Sequence, residues 1–231
     1  MPKTNVYVDG FNLYYGAAKG TPFKWVNLES LAQAVLPGIQ VGRIRYFTAL
    51  VNPDPSDPQR RQRQETYIRA LETLPNLSVH YGHYLQSTPY MRLAAPPPPP
   101  SRPTVRVIKM EEKGSDVNLA TYMLVDAFRK DCDQMIVVTN DSDLAEPIRI
   151  INKQLHIPVI VLNPHSKDTA QRASLKTGRK IKANPSVSLR TAARLTKDIH
   201  STGSTSHMAL SQFPNSIKDA AGRTITKPVG W

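Results

Sequence analysis

The chain has 231 residues, with 30 Lys and Arg against 18 Asp and Glu, a net charge of +12 and a pI near 9.9. This basic balance indicates a polyanionic partner, most simply nucleic acid. The single cysteine, Cys132, excludes a disulfide framework and a cysteine-built zinc site. Since no apolar run approaches the roughly 18 residues of a membrane span, and MPKTNVYVDG lacks a secretory apolar segment, we expect a soluble cytoplasmic protein with no membrane partner.

In residues 1–165, patterns typical of strands and of helices alternate. Runs rich in β-branched and aromatic residues predict strands, and apolar residues at helical spacing predict helices between them. The alternation predicts an α/β fold with a mainly parallel central sheet and helices on both faces. In chain order, the predicted elements are strand 5–8, a helical start after Gly10, helix 26–35, strand 43–51, helix 58–74, strands 77–85 and 104–110, helix 117–128, strand 135–138, helix 143–154 and strand 157–162.

A proline-rich stretch at 87–103 separates two of these predicted strands. Its five consecutive prolines at 96–100 favour polyproline II and cannot join a sheet. We expect a stiff surface loop inserted in the domain, and a ligand segment of the SH3-binding type is the alternative.

The positive charge is concentrated toward the end of the chain. Residues 166–231 carry 12 Lys and Arg against 3 Asp and Glu, whereas residues 1–165 carry 18 against 15. Because few large apolar residues follow Leu195, we expect 166–231 to be a basic extension, partly helical or disordered, that packs little core. It is either only solvated or also attracts a polyanion. Its basic residues expected to attract phosphate are Arg172, Lys176, Arg179, Lys180 and Lys182.

Four aspartates occur where predicted strands end or a helix begins. Asp9 ends the first strand, Asp141 and Asp143 follow strand 135–138, and Asp116 opens helix 117–128. Ligands of parallel α/β sheets bind at the carboxyl ends of the strands, near the switch in strand order. If strands 5–8 and 135–138 are neighbours, the four carboxylates can face one cleft, where their repulsion requires a cation. Oxygen ligands favour Mg²⁺ or Mn²⁺ over Zn²⁺.

Each aspartate also has a local explanation. Asp9 could belong to an ordinary turn, and Asp116 and Asp143 could belong to the N-termini of helices. Asp141 is the hardest to explain locally, because Ser142 or Asp143 could supply the helix cap. The joint pattern therefore favours a cation site.

Three blocks closely resemble the signature blocks of the NYN domain family, bacterial relatives of the PIN-like nucleases. They are VYVDGFNLYYG at 6–16, EEKGSDVNLATYMLVDA at 111–127 and VVTNDSDLAEPIRI at 137–150, and they occur in the family's order. The resemblance covers about residues 4–165, and the closing segment HMALSQFPNSIKDAAGRTITKPVGW is similar to the tail of some bacterial members. The third block departs from the family pattern at Thr139 and Asn140, where a small residue and glycine are common.

The resemblance implies a PIN-like three-layer α/β/α sandwich, a metal-dependent ribonuclease and roles for individual residues. Asp9, Asp116 and Asp141 would hold the metal, and Asp143 would be an additional or water-mediated ligand; these four would be the catalytic residues. Glu112 is a weaker acidic candidate. The implied substrate-binding residues are Asn12, Lys113, Thr139 and Asn140.

We therefore predict a metal-dependent endoribonuclease, with residues 1–165 as the nuclease domain and single-stranded or structured RNA as the partner. The alternatives are a non-catalytic RNA-binding or regulatory protein of the same fold and a DNA nuclease. A phosphatase of the haloacid dehalogenase type is disfavoured, because that family needs Asp-x-Asp-x-Thr after the first strand and Gly10-Phe11 follows Asp9 here. The oligomeric state, including a homo-oligomer, is left open.

Overall fold

The computed structural model describes residues 1–98, 100–165, 171, 174–175, 183–200 and 206–231. The strands are β1 (Lys3–Asp9), β2 (Gln40–Thr48), β3 (Leu77–Tyr81), β4 (His83–Ser87), β5 (Tyr90–Arg92), β6 (Thr104–Arg106), β7 (Lys109–Lys113), β8 (Gln134–Val138), β9 (Val159–Asn163), β10 (Leu195–Asp198), β11 (Ser216–Lys218) and β12 (Thr224–Thr226). The helices are α1 (Gly10–Leu13), α2 (Leu28–Val35), α3 (Arg60–Leu71), α4 (Ser115–Phe128), α5 (Ala145–Lys153), α6 (Val187–Ala192) and α7 (His207–Leu210). A π-helical turn covers Tyr14–Ala18, and a 3-10 turn covers Ser142–Leu144.

The central sheet has six parallel strands in the order β10-β9-β8-β1-β2-β3. The chain runs outward from β1 to β3 on one side and from β8 to β10 on the other. The strand order therefore switches between β1 and β8. Val8 pairs with Val138, so the residues that follow these two strands emerge side by side. The expected adjacency of strands 5–8 and 135–138 is confirmed.

Alternate residues of the central strands fill two cores. Val6 and Val8 of β1 belong to the core beneath α2 and α3, whereas Tyr7 belongs to the core beneath α4, α5 and α6. This alternation places a helical layer on each face of the sheet, and the predicted three-layer α/β/α fold is confirmed. In the described part of the chain, no helix has both the length and the apolar character needed to cross a membrane.

Two antiparallel ribbons leave the sheet after β3. The predicted strand 77–85 divides at Gly82: β3 remains in the sheet, and β4 pairs with β7 outside it. A Cβ on Gly82 would lie 2.2 Å from Glu112 Oε1 and 2.6 Å from the Lys113 carbonyl oxygen, so the chain can turn this close to β7 only at glycine. The predicted strand 104–110 is divided between β6 and β7, which lie in the ribbons and not in the central sheet. We call residues 83–113 the proline arm.

The C-terminal part packs against the domain, and the expectation that it adds little core was wrong. Strand β10 extends the central sheet, and α7 and the β11–β12 hairpin cover the α2 and α3 side. Trp25 Nε1 donates a hydrogen bond to the Pro214 carbonyl oxygen at 2.9 Å, and Trp25 contacts Phe213 edge to face. The apolar residues of this part are few, but Met208, Phe213 and Ile225 are all buried. The five basic residues expected to attract phosphate lie outside the described residues.

A buried carboxylate joins α4 to the sheet. Asp126 is fully buried and accepts hydrogen bonds from Tyr7 Oη at 2.8 Å and from Arg45 Nε and Nη2 at 2.8 and 3.0 Å. Burial raises the pKa of the Tyr7 phenol, and the neighbouring Asp126 charge raises it further, so Tyr7 remains a proton donor. Since Tyr7 and Arg45 lie on β1 and β2, the network fixes α4 against the centre of the sheet.

We expect Tyr7→Phe to lower the free energy of unfolding by about 1 kcal/mol, because one buried hydrogen bond is lost. Asp126→Ala should lower it by about 3–5 kcal/mol, because Arg45 is left without its counter-charge. Urea unfolding followed by circular dichroism measures both values. Tyr90→Phe is the matched control, since the Tyr90 ring is exposed on the proline arm. A Tyr7→Phe loss no larger than that of the control would contradict the importance of this network.

Candidate active site

Asp9 is a buried carboxylate at the centre of the carboxyl edge of the sheet. It ends β1 and caps α1, accepting a hydrogen bond at Oδ1 from the Asn12 backbone N–H at 2.9 Å. Its Oδ2 accepts from Asn12 Nδ2 at 2.6 Å and from Thr139 Oγ1 at 3.1 Å. Burial raises the pKa of Asp9, while the hydrogen bonds from Asn12 and Thr139 favour the charged form. The carboxylate is therefore held in one orientation.

Asp141 lies next to Asp9 across the switch in strand order. Its Oδ1 accepts a hydrogen bond from the Asp143 backbone N–H at 3.0 Å, so Asp141 itself caps the 3-10 turn. The expectation that Ser142 or Asp143 supplies this cap was wrong, because Asp141 is the residue in extended conformation before the turn. Asp143 is exposed at the start of the turn. Asp141 thus has a structural role in addition to its position among the acids.

Asp116 lies in the first turn of α4, facing the other acids. The residue before this helix is Gly114, at a positive φ of 98° that suits glycine. Burial raises the pKa of Asp116 to about 6. The charges that add to this increase belong to Asp9, Asp141, Glu112 and Asp143. The structure thus brings all four predicted aspartates within electrostatic reach of one another.

Glu112 joins this acidic group from β7. Its Oε1 accepts hydrogen bonds from the backbone N–H and hydroxyl of Ser115, at 3.2 and 2.7 Å. Glu112 is therefore held against the start of α4, although it lies on β7, outside the central sheet. Pairing of β4 with β7 determines this position, and the sequence pattern alone contained no signal for that pairing.

The donor set fits a hard divalent cation. All of its groups are carboxylates, and none of the four aspartates forms an ion pair with Lys, Arg or His among the described residues. Within the same residues, no three His, Cys, Asp or Glu side chains converge closely enough to hold a metal ion together as they stand. The residues that could hold one are Asp9, Asp116, Asp141 and Asp143.

Three of the predicted substrate-binding residues hold the loops together. The side chain of Asn12 donates to Asp9 and accepts from the Asn140 backbone N–H at 3.2 Å. The hydroxyl of Thr139 is fully buried, donates to Asp9 and accepts from the Asp141 backbone N–H at 3.1 Å. Asn140 Oδ1 accepts from the Ser186 backbone N–H at 3.2 Å. These contacts position the acids.

Lys113 is the fourth predicted substrate-binding residue. It is exposed at the end of β7, and its Nζ lies 3.6 Å from Glu111 Oε2. A surface ion pair of this length leaves the ammonium free to turn toward another anion. Its contact with phosphate stays a prediction.

Gly10, directly after Asp9, lines a cavity of about 380 Å³ that sequence reasoning missed. A Cβ on Gly10 would lie 2.7 Å from both the Phe47 carbonyl oxygen and Tyr46 Oη, so glycine is needed at this position. None of the four aspartates lines the cavity. Its walls come from segments far apart in the chain, which explains why no local pattern indicated it.

The fold and site define a three-layer α/β/α protein with an acidic centre at the switch point of a parallel sheet. The family model described as the NYN domain matches residues 3–177. The chain belongs to the NYN domain family, and this membership implies a nuclease-like fold.

Two individual proteins are similar to the chain. It is 31% identical over 187 residues to the 6-hydroxy-3-succinoylpyridine 3-monooxygenase HspA of Pseudomonas putida, an alignment that covers 71% of the chain and 60% of that relative. The chain thus spans 60% of the relative's length. A solved structure of a protein of unknown function from Vibrio parahaemolyticus superposes with a TM-score of 0.48 and 18% identity, covering 86% of the chain and 93% of that protein.

Without metal, we expect Asp116→Asn to raise the midpoint of thermal unfolding at pH 8 by about 2–4 °C. The folded-state pKa of Asp116, about 6, lies above its ordinary value of 3.8, so the fold loses stability as the pH rises from about 4 to about 6, and the loss is complete at pH 8. The difference between the unfolding midpoints of variant and wild type should shrink as the pH falls from 6 toward 4, where the Asp116 carboxyl of the folded wild type becomes neutral like the Asn amide. Scanning calorimetry in EDTA at several pH values tests this. An equal or lower midpoint at pH 8 would show that burial and the neighbouring acids do not penalise ionised Asp116.

Proposed function

We propose that the protein is a metal-dependent endoribonuclease that hydrolyses RNA phosphodiester bonds. The observation that carries the proposal is that Asp9, Asp116, Asp141 and Asp143 lie within electrostatic reach of one another at the switch point of the sheet. Membership of the NYN family supports the same chemistry. Carboxylates that repel one another, and have no basic partner in the described part of the chain, suit a divalent cation.

Asp9, Asp116 and Asp141 would hold Mg²⁺ or Mn²⁺, and Asp143 would contact it directly or through water. When bound, such an ion supplies Lewis acidity toward phosphate oxygens and lowers the pKa of a coordinated water. Asn12 and Thr139 hold Asp9 in orientation through their hydrogen bonds.

The acids also control when the site accepts a cation. With a pKa of about 6, Asp116 is partly protonated at mildly acidic pH. A cation must compete with that proton, so its affinity should increase with pH through this range.

Basic side chains outside the acidic group would attract the substrate. Arg60, Arg61 and Arg63 lie on α3, and Lys113 lies at the end of β7. Phosphate attraction of this kind carries no sequence information and weakens as salt concentration rises. RNA as the substrate, rather than DNA, is part of the proposal.

A second candidate is an oxygenase acting on a hydroxylated pyridine, favoured by the 31% identity to the Pseudomonas putida monooxygenase. Against it, the four aspartates supply only oxygen donors, which suit Mg²⁺ and Mn²⁺. Non-haem iron oxygenases commonly use two histidines and one carboxylate. The acidic centre therefore fits phosphodiester hydrolysis better.

We expect Asp141→Asn to abolish RNA cleavage in Mn²⁺ while the protein remains folded. Asparagine also caps helical turns, so the 3-10 turn survives, but the ligand loses its charge. Asp143→Asn should lose roughly 10–100-fold if its contact runs through water. The control is Asp133→Asn, an exposed aspartate just before β8 and thus at the opposite edge of the sheet.

Cleavage is measured on unstructured RNA, single-stranded DNA and duplex DNA, and oxygen consumption with a hydroxylated pyridine and a reductant is measured in parallel. RNA cleavage that survives Asp141→Asn would remove Asp141 from the chemistry. Absence of cleavage in the wild type, together with pyridine-dependent oxygen uptake, would favour the second candidate.

The proline arm begins beside the acids but carries its prolines away from them. Tyr84 of β4 contacts Phe11 with ring centroids 6.1 Å apart, and Glu112 lies on β7. Farther out, the Leu93 backbone N–H donates to the Pro103 carbonyl oxygen at 2.8 Å, closing the ribbon before the proline run. The run itself therefore has no part in shaping the base of the arm.

We expect replacement of residues 94–102 by a short Gly/Ser linker to leave Mn²⁺ binding and the basal cleavage rate unchanged, because β5 and β6 still pair. Calorimetric Mn²⁺ titration and cleavage of a short RNA test this. Loss of all cleavage in a variant that still binds Mn²⁺ would mean that the proline run contributes to the substrate cleft.

A further inference from the structure

The cavity beside Gly10 has the size and composition of a ligand site. Its volume of about 380 Å³ lies within the roughly 300–1,000 Å³ of small-molecule sites. Its walls come from α1 and the π-helical turn, the end of β2, α3 and the ring of Trp231. It therefore lies between the helical layer and the C-terminal part that packs on it. Gly10, the residue that follows Asp9, forms part of its wall.

The cavity has an excess of positive charge. Among the described residues, four basic side chains line it, against the two acids Asp54 and Asp57. Asp57 pairs with Arg63, and Asp54 pairs with Arg60 at 2.9 Å. The remaining basic residues are Lys19 and Lys24.

Lys24 lies in the part of the cavity wall next to the Trp231 ring. Its Nζ lies 3.1 Å from the Gly230 carbonyl oxygen and 5.9 Å from the centre of the Trp231 ring. Burial lowers the pKa of Lys24, and the positive charges of Arg63 and Lys227 lower it further. An anion between Lys24 and Arg63 would relieve this repulsion.

Aromatic rings form much of the remaining wall. Trp231 and Tyr67 have ring centroids 6.0 Å apart, and the half-buried Tyr14 lies on the π-helical turn. Ser56 and Gln64 also line the space, and their side chains hydrogen-bond within the protein, to Asp54 and to the backbone of Ala49 and Val51 respectively. A ligand that suits both the basic part and the aromatic part of the wall has an anionic group and a planar ring.

We propose that this cavity binds a nucleotide, with its phosphate at Lys24 and Arg63 and its base against Tyr14 and Trp231. A phosphate dianion matches the forked arginine and lysine donors better than a single carboxylate does. Aromatic side chains accept every nucleobase by stacking. The ligand is a nucleotide of the RNA strand bound next to the acids. Only this origin of the nucleotide rests on the proposed function; the binding of a nucleotide in the cavity does not.

The first experiment is calorimetric titration of the full chain in EDTA, which separates nucleotide binding from cleavage. The ligands are UMP, AMP, uridine, inorganic phosphate and pyridine-3-carboxylate. We expect both nucleotides to bind about tenfold or more tightly than uridine or phosphate, because each of these lacks one half of the recognised chemistry. No nucleotide binding, or tighter binding of pyridine-3-carboxylate than of UMP, would overturn the proposal.

Charge variants locate the binding. Lys24→Gln and Arg63→Gln should each weaken UMP binding about tenfold, whereas Asp57→Asn should strengthen it, because Arg63 is released from its acidic partner. Lys153→Gln, at an exposed position that ends α5, is the control and should change nothing. If Lys24→Gln and Asp57→Asn, both folded by circular dichroism, bind UMP like the wild type, the site is not this cavity.

Two further measurements separate this proposal from the nuclease assignment. UMP binding should be unchanged in Asp141→Asn, and Mn²⁺ binding should be unchanged in Lys24→Gln. UMP binding without any RNA cleavage would defeat the proposed function and leave the cavity assignment intact. In an active enzyme, competitive inhibition of cleavage by UMP supports an RNA nucleotide as the ligand. UMP binding that leaves cleavage unaffected would overturn the RNA source in favour of a free nucleotide.

Discussion

The hydroxyl of Thr139 bridges the two central strands, and the arrangement of the acids depends on that bridge. It donates to Asp9 Oδ2 and accepts from the Asp141 backbone N–H, both at 3.1 Å. The parallel register of β1 and β8 brings these groups to the same level. Since the Thr139 side chain is fully buried, water cannot replace either contact. Two mutually repelling carboxylates are thus fixed next to each other by a neutral group between them.

Repulsion among the acids must be offset elsewhere in the fold, and α4 shows how. The helix carries Asp116 in its first turn and Asp126 near its end. Asp116 faces other carboxylates, whereas Asp126 faces Arg45 and Tyr7, which provide charge and a hydrogen bond. The favourable contacts at one end of the helix hold the unfavourable group at the other end in place. Burial and the neighbouring acids together raise the pKa of Asp116, and perturbed pKa values of this kind cluster at functional sites.

The sequence predicted what is encoded locally. Strands 5–8 and 135–138 were predicted because each is a continuous apolar run, and their adjacency follows from the rules of parallel sheets. The roles of Asp126, β10 and the proline arm could not be predicted, because each depends on a partner far away in the chain. Asp126 pairs with Arg45 across 81 positions, and β4 pairs with β7 only because the chain turns at Gly82. Thr139 was predicted to bind substrate, whereas the structure shows it buried between Asp9 and Asp141. Its burial could not be foreseen, because burial is a property of the folded sheet.

The position of Gly10 connects the acidic centre to the neighbouring cavity. Asp9 caps α1 on one side of this residue, and Gly10 itself packs against Tyr46 and the Phe47 carbonyl oxygen on the wall of the cavity. The charge of Asp9 also contributes to the raised pKa of Tyr46, whose main cause is burial, so the two places are electrostatically close. A negatively charged centre next to a positively charged cavity suits a substrate that brings both a phosphate and a cation. In the proposed function, the acids attract the cation and the cavity attracts phosphate, and neither could hold its partner as well if their charges were exchanged.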